Sequence, residues 1–124
     1  MISNKKIGTE FENEFCQMLA EMKYWVHFIT PDRTGAQPFD VIAVKDNKPY
    51  AFDCKTNASE TFSIKRLEDN QIMAFEKWLR CGNRYAYIAI KHDDEVWVIS
   101  YQDLKAKKNI NVKKDAKWFG IIYN

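Results

Sequence analysis

Two short apolar runs, Phe39 to Val44 and Tyr50 to Thr56, flank the polar pentapeptide Lys45-Asp46-Asn47-Lys48-Pro49. Runs of that length, rich in β-branched and aromatic residues and separated by turn formers, predict an antiparallel β-hairpin. A strand places side chains i and i+2 on one face, so Asp53 and Lys55 project together while Phe52 and Cys54 turn the other way. Asp40 opens the first strand, thirteen residues before Asp53, and a hairpin carries the two close together. Aspartate is locally unfavourable in strands. Two of them among Phe, Val, Ile, Ala and Cys mark a place where function overrides local preference. Neighbouring carboxylates repel unless a cation lies between them, and a lysine beside them orients or polarises water. The pattern predicts a divalent metal on oxygen ligands, which is the chemistry of phosphodiester cleavage.

The rest of the chain supplies walls for that patch. From about Lys5 to Met22, the residues Phe11, Phe15, Met18, Leu19 and Met22 recur at helical spacing and predict one buried stripe, with Ser3 or Asn4 as cap. Glu12 and Glu14 lie at opposite edges of the stripe, and geometry leaves both open as partners of the patch. Tyr24 to Thr30 predicts a strand with Trp25 packed and His27 on the same face. Pro31 to Pro38 is a loop by its Pro and Gly content; its Arg33 is either a phosphate contact or a turn arginine paired with Asp32. After a polar loop from Asn57 to Phe62, a second amphipathic helix runs from about Leu67 to Leu79 and stops at Gly82. Gln71 shares a side with Phe75 and Trp78, near the start of that helix, where it can face the metal site. Tyr85 to Ile90 and Glu95 to Ser100 predict two strands about a charged turn that puts His92 at the surface. Tyr101 to about Lys107 predicts a short helix, and Trp118 to Tyr123 a final strand or packed tail. This order predicts an α/β fold with a central mixed β-sheet flanked by helices.

Composition enters only as a bound. A chain of 124 residues fits one domain, 1–124, with one proper core, and 46% hydrophobic and 15% aromatic residues are those of a folded protein. No signal-peptide core and no apolar run of membrane-spanning length is present, which predicts a soluble, cytoplasmic protein with no membrane partner. Three widely spaced cysteines without a CxxC predict reduced, mostly buried thiols rather than a disulfide framework or zinc site. A net charge of +2 is low for a generic nucleic-acid binder, so distribution matters more than the sum. Basic residues gather at Lys5-Lys6, at Lys65-Arg66, and in a tail holding Lys105, Lys107, Lys108, Lys113, Lys114 and Lys117. Each cluster alone is ordinary solvated surface; together they are placed to track a phosphate backbone.

With these residues in hand, Pro38-Phe39-Asp40 and Asp53-Cys54-Lys55 resemble the signature of the PD-(D/E)xK nuclease superfamily. Gly8-Thr9-Glu10-Phe11-Glu12 resembles the Gly-x-x-aromatic-Glu opening of Holliday junction resolvases, which selects Glu12 over Glu14. The run Tyr50, Phe52 to Thr56, Thr61-Phe62, Gln71 and Val96-Trp97-Val98 resembles the RecU type. The long stalk of that type is replaced here by the Pro31 to Pro38 loop and its N-terminal arm is missing, which suggests a compact, stalk-less, phage-like version. The resemblance implies a restriction-endonuclease-like core and an endonuclease dependent on Mg²⁺ or Mn²⁺ that cuts four-way DNA junctions. It implies Asp40 and Asp53 as principal ligands, the Cys54 carbonyl as a further oxygen, and Glu12 as a direct or water-mediated ligand. Lys55 would position the attacking water and Gln71 would orient water or phosphate, with Lys5, Lys6, Arg33, Lys65 and Arg66 on the DNA. Symmetric cutting of a junction implies a homodimer. The alternatives are a restriction- or repair-type nuclease of the same fold and a non-catalytic DNA-binding module.

Overall fold

The computed structural model describes residues 4–29 and 38–122, with side chains from residue 10 onward. Helix α1, Asn4–Glu21, forms on the expected stripe, with Phe11, Phe15 and Leu19 buried and Met18 and Met22 half-buried. It ends where Lys23 enters the left-handed region at φ 72° and the Tyr24 amide turns back to the Leu19 carbonyl at 3.0 Å. Strand β1, Trp25–Phe28, follows, and after the undescribed segment come β2, Val41–Lys45, and β3, Lys48–Thr56. Asp46 and Asn47 take φ of 53° and 64° between β2 and β3, the two-residue turn whose twist suits a hairpin and whose positive φ these residues tolerate best after glycine.

The polar stretch after β3 is not all loop. Thr61–Ser63 forms a short strand, β4, and Ile64–Arg66 a 3₁₀ turn leading into helix α2, Asp69–Arg80. Strands β5, Tyr85–His92, and β6, Glu95–Ser100, pair through Asp93 and Asp94, which repeat the left-handed turn at φ 52° and 60°. Helix α3, Tyr101–Lys107, strand β7, Asn109–Asn111, the short helix α4, Val112–Asp115, and strand β8, Lys117–Ile121, complete the described chain.

Six strands form one mixed sheet in the order β1-β2-β3-β5-β6-β8, and β4 pairs with β7 in a second, two-stranded sheet. Only β3 and β5 of the large sheet pair parallel, and helix α2 supplies the crossover that a parallel pair needs. Helix α1 covers one face through Phe11, Phe15 and Leu19 against Val41, Ala43, Phe52 and Cys54. Phe75 of α2 and Tyr101 and Leu104 of α3 cover the other, against Ala51, Ala86, Ile88 and Ile90, with Phe39 in the same cluster. The result is the expected central mixed sheet between helical layers. Among the described residues, no helix is long and apolar enough to cross a membrane.

Three expectations fail, the first being that the cysteines are mostly buried: Cys54 is buried, but Cys16 is half-buried and Cys81 exposed. Trp25 is 62% exposed rather than packed, because Val26 and Phe28 supply the side of β1 that meets α1, and Trp25 stacks on His27 along the outer side instead. His92 is only 3% exposed rather than at the surface. It is the last residue of β5, and its ring turns inward to place Nδ1 2.9 Å from the Asn57 carbonyl oxygen.

One detail of register positions everything below. Pairing of β2 with β3 stops at Val41 and Phe52, whereas β3 continues along β5 to Thr56. From Asp53 to Thr56, therefore, β3 has a strand partner on one edge and, among the described residues, none on the other.

Candidate active site

Asp53 and Lys55 leave β3 on the α2 face, as strand alternation requires, and Phe52 and Cys54 pack on the α1 face. Asp53 is fully buried and Asp40 nearly so, at 7% exposure. Asp40 stands just before β2, where its amide bonds the Phe52 carbonyl at 3.1 Å and its carbonyl accepts from the Ile29 amide at 2.9 Å. Its side chain then reaches over the open edge of β3, and Oδ2 accepts from the Cys54 amide at 2.8 Å. In a strand, the N–H and C=O of one residue point to the same edge. The Cys54 carbonyl therefore faces the same open edge as the amide that Asp40 holds.

Gln71 enters from the first turn of α2. Its Nε2 donates to Asp53 Oδ1 at 2.9 Å, and its Oε1 accepts from Lys55 Nζ at 3.2 Å and from the Glu68 amide at 2.9 Å. The last of these bonds caps the helix start, so the side chain that fixes α2 also joins Asp53 to Lys55. Lys55 Nζ lies 3.4 Å from Asp53 Oδ2, a charge contact without hydrogen-bond geometry, and that buried oxygen has no hydrogen-bond partner.

Glu12 approaches from α1. Burial, then the charge of Asp40 and a hydrogen bond with it, push its carboxyl up from 4.5 to about 7, against the lowering effect of Lys55. Burial and the neighbouring Asp40 likewise push Asp53 well above the usual aspartate range. Glu14, the rival on helical geometry, is turned away, with its carboxylate 3.4 Å from Lys91 Nζ. The Cys16 thiol is pushed up to about 11, by burial first and then by Glu12 and Asp40, which makes it inert at neutral pH.

The structure thus brings Glu12, Asp40, Asp53, Lys55 and Gln71 together around the open edge of β3. An unpartnered buried carboxylate oxygen, acids pushed toward their protonated forms by burial and then by a neighbouring carboxylate, and a carbonyl on an open strand edge are what a hard divalent cation would satisfy. Among the described residues, no three His, Cys, Asp or Glu side chains are already gathered as a cation cage. The acids meet the Cys54 amide, Gln71 and Lys55.

The expected DNA contacts fare differently. Arg33 and the side chains of Lys5 and Lys6 lie outside the described residues. Lys65 is exposed on the 3₁₀ turn. Arg66 is exposed too, but its guanidinium is engaged by Asn57 and the Thr56 carbonyl. In the basic tail, Lys105, Lys107 and Lys113 are paired with Glu76, Asp115, and Glu60 and Asp93 respectively, so part of that charge is balanced within the molecule. Sequence reasoning gave neither Asn57 nor His92 a part in the site: Asn57 opens the expected polar loop and His92 is expected at the surface. The only signal was a polar residue directly after the strand that carries Lys55, which reads as loop.

The family model of the archaeal Holliday junction resolvases matches residues 3–121. Among solved structures, that of Hjc from Archaeoglobus fulgidus, a Holliday junction resolvase from an archaeal hyperthermophile, is similar with a TM-score of 0.63. The identity is 18%, over 84% of this chain and 86% of that one, a likeness that carries the fold. No curated protein matches the chain in sequence. These matches support the resolvase superfamily read from the motifs, but in its archaeal form; they do not support the RecU type or a phage source.

Proposed function

The chain belongs to the archaeal Holliday junction resolvase family, and on that footing we propose that it hydrolyses phosphodiester bonds at four-way DNA junctions with a divalent metal, Mg²⁺ or Mn²⁺. The observation that carries the site assignment is the buried Asp53 Oδ2 without a hydrogen-bond partner, beside Asp40, Glu12 and Lys55 on an open strand edge. Asp40, Asp53, the Cys54 carbonyl and Glu12 would hold the cation. When bound, the cation supplies positive charge that polarises the scissile phosphodiester and acidifies water.

The chain's own groups do the remaining work. Lys55, only 17% exposed at its side chain, holds its ammonium where it can orient the attacking water and stabilise charge growing on the phosphoryl oxygens. Gln71 sets the position of that ammonium from a helix terminus, which limits the motion of both groups. Glu12 must lose its proton to serve as a ligand, so metal affinity rises with pH up to about 7. Lys5, Lys6, Arg33 and Lys65 contribute charge that meets the phosphate backbone. Paired cuts across a junction need two such sites related by symmetry, which calls for a homodimer.

The test is cleavage of a synthetic four-way junction with Mg²⁺ or Mn²⁺. The expected result is paired symmetric nicks, lost in Asp53→Ala while junction binding survives. Equal cutting of linear duplex would replace the resolvase reading with a restriction- or repair-type nuclease, and metal-independent cutting would remove the metal site.

A further inference from the structure

Among the described residues, the segment of β3 that carries Asp53 and Lys55 is an interior stretch of the sheet with one edge left unpaired. Since pairing with β2 ends at Phe52, the backbone groups of Cys54 and Thr56 face a side where no strand follows among the described residues. An unpaired edge leaves donors and acceptors without a ladder and frees the strand to shift. Two side chains bond the backbone groups on that edge. Asp40 Oδ2 takes the Cys54 amide at 2.8 Å, and Arg66 Nη2 donates to the Thr56 carbonyl at 3.0 Å. Lys55 lies between those two fixed points.

The arginine is itself held. Nη1 donates to Asn57 Oδ1 at 2.7 Å, and the guanidinium carbon sits 5.3 Å from the centre of the Phe62 ring. Asn57 is anchored in turn at every polar group. Its amide donates to the Lys91 carbonyl at 2.9 Å, its carbonyl oxygen meets His92 Nδ1 at 2.9 Å, and its Nδ2 donates to the Ser59 and Thr61 carbonyls at 2.6 and 2.8 Å. The buried His92 ties the loop after β3 to the end of β5, and Arg66 links that loop to the strand end.

We infer that Arg66 is a positioning residue for the reaction, a side-chain clamp that with Asn57 closes the open edge of β3 and holds Lys55 and the Cys54 carbonyl in register, rather than a phosphate contact. The inference rests on the reading of Lys55 and Cys54 as part of the cleavage site. Arginine is required because one planar fork bonds two acceptors at once, whereas a lysine ammonium on a flexible stem keeps the charge and loses the geometry.

The experiment separates binding from the chemical step. Junction affinity, its salt dependence and the single-turnover cleavage rate of saturated junction are measured for the wild type, Arg66→Ala, Arg66→Lys and the charge-neutral Asn57→Ala. The expected result is a single-turnover rate lowered about tenfold or more in all three variants, because small misplacements near reacting groups cost that much. Junction affinity and salt slope should stay within about twofold of wild type. Arg66→Lys should fail to rescue. A phosphate contact gives the opposite pattern and overturns the clamp: Arg66→Lys near wild type, Arg66→Ala with weakened affinity and a salt slope reduced by about one, and Asn57→Ala unaffected. Wild-type rates throughout overturn it as well. A wild-type chain that cuts no junction sinks the resolvase reading instead, and the clamp is then decided by amide exchange. Arg66→Ala should speed exchange at Cys54 and Asn57 relative to the β5 amides, and unchanged exchange refutes the clamp independently of activity.

Discussion

At the scale of the residue, burying the acids of the site beside one another opposes their ionisation. Burial and Asp40 raise Glu12 to about 7 and raise Asp53 well above its usual range, so the fold favours the protonated form of each. A carboxyl whose folded value is raised contributes stability that is fully present below its unfolded value and is lost as pH rises through the folded one. For Glu12 that window runs from 4.5 to about 7. Glu76, lowered by hydrogen bonds from Lys105 and Tyr101, and Asp115, lowered by the Asn111 amide and Lys107, act in the opposite sense. Their contribution is present above the ordinary carboxylate range and is lost as pH falls through their folded values. In a chelator, thermal unfolding should therefore shift to lower temperature between about pH 5 and about pH 8. Asp53→Asn should flatten that decline, and Mg²⁺ or Mn²⁺ should raise the melting temperature most at the alkaline end. A melting temperature that climbs steadily over the same range in chelator would contradict this account of the acids.

At the scale of the element, α2 does two jobs with one end each. Its first turn carries Gln71 to Asp53 and Lys55, and its last turn must stop cleanly for the chain to return along β5. Gly82 makes that stop at φ 95°, with nothing within 4 Å of where a β-carbon would lie. Gly82→Ala would thus meet no steric obstacle, only an unfavourable backbone conformation, and should destabilise the protein by about 1 kcal/mol. Denaturant unfolding measures this as a shift in midpoint with an unchanged slope. Because Gln71 is fixed at the far end of α2 by its bond to the Glu68 amide, the single-turnover cleavage rate of Gly82→Ala should stay within about twofold of wild type. A large rate loss with little loss of stability would show that the two ends are coupled.

At the scale of the whole molecule, one sheet lies between two cores, and the site opens where β2 gives way and α1, α2 and β3 converge. Two nicks placed symmetrically on a junction require a second copy, so light scattering or sedimentation should give twice the mass expected for 14.7 kDa. A monomer at concentrations where cleavage is symmetric would exclude the paired-site mechanism. Much of this architecture is written in local sequence. The stripe of Phe11, Phe15 and Leu19, the Asp46-Asn47 and Asp93-Asp94 turns, and the alternation that sends Asp53 and Lys55 to one face depend on neighbours within a few positions. Helical spacing, tolerance of positive φ and the two-residue strand period fix them. Trp25 and His92 were misjudged because strand alternation says which residues share a face without saying which face is covered. The choice between Glu12 and Glu14, made by motif resemblance, has a physical basis only in the fold, where Lys91 engages one and Asp40 meets the other. The hairpin of β2 and β3, with its two aspartates and lysine, was determined by the sequence itself. Where that hairpin stops pairing, and hence that Asp40 and Arg66 must hold the edge carrying Lys55, was decided only by tertiary structure. Hydrogen-bond partners across the open edge come from residues up to fourteen positions away, and no local preference of the chain encodes their distance.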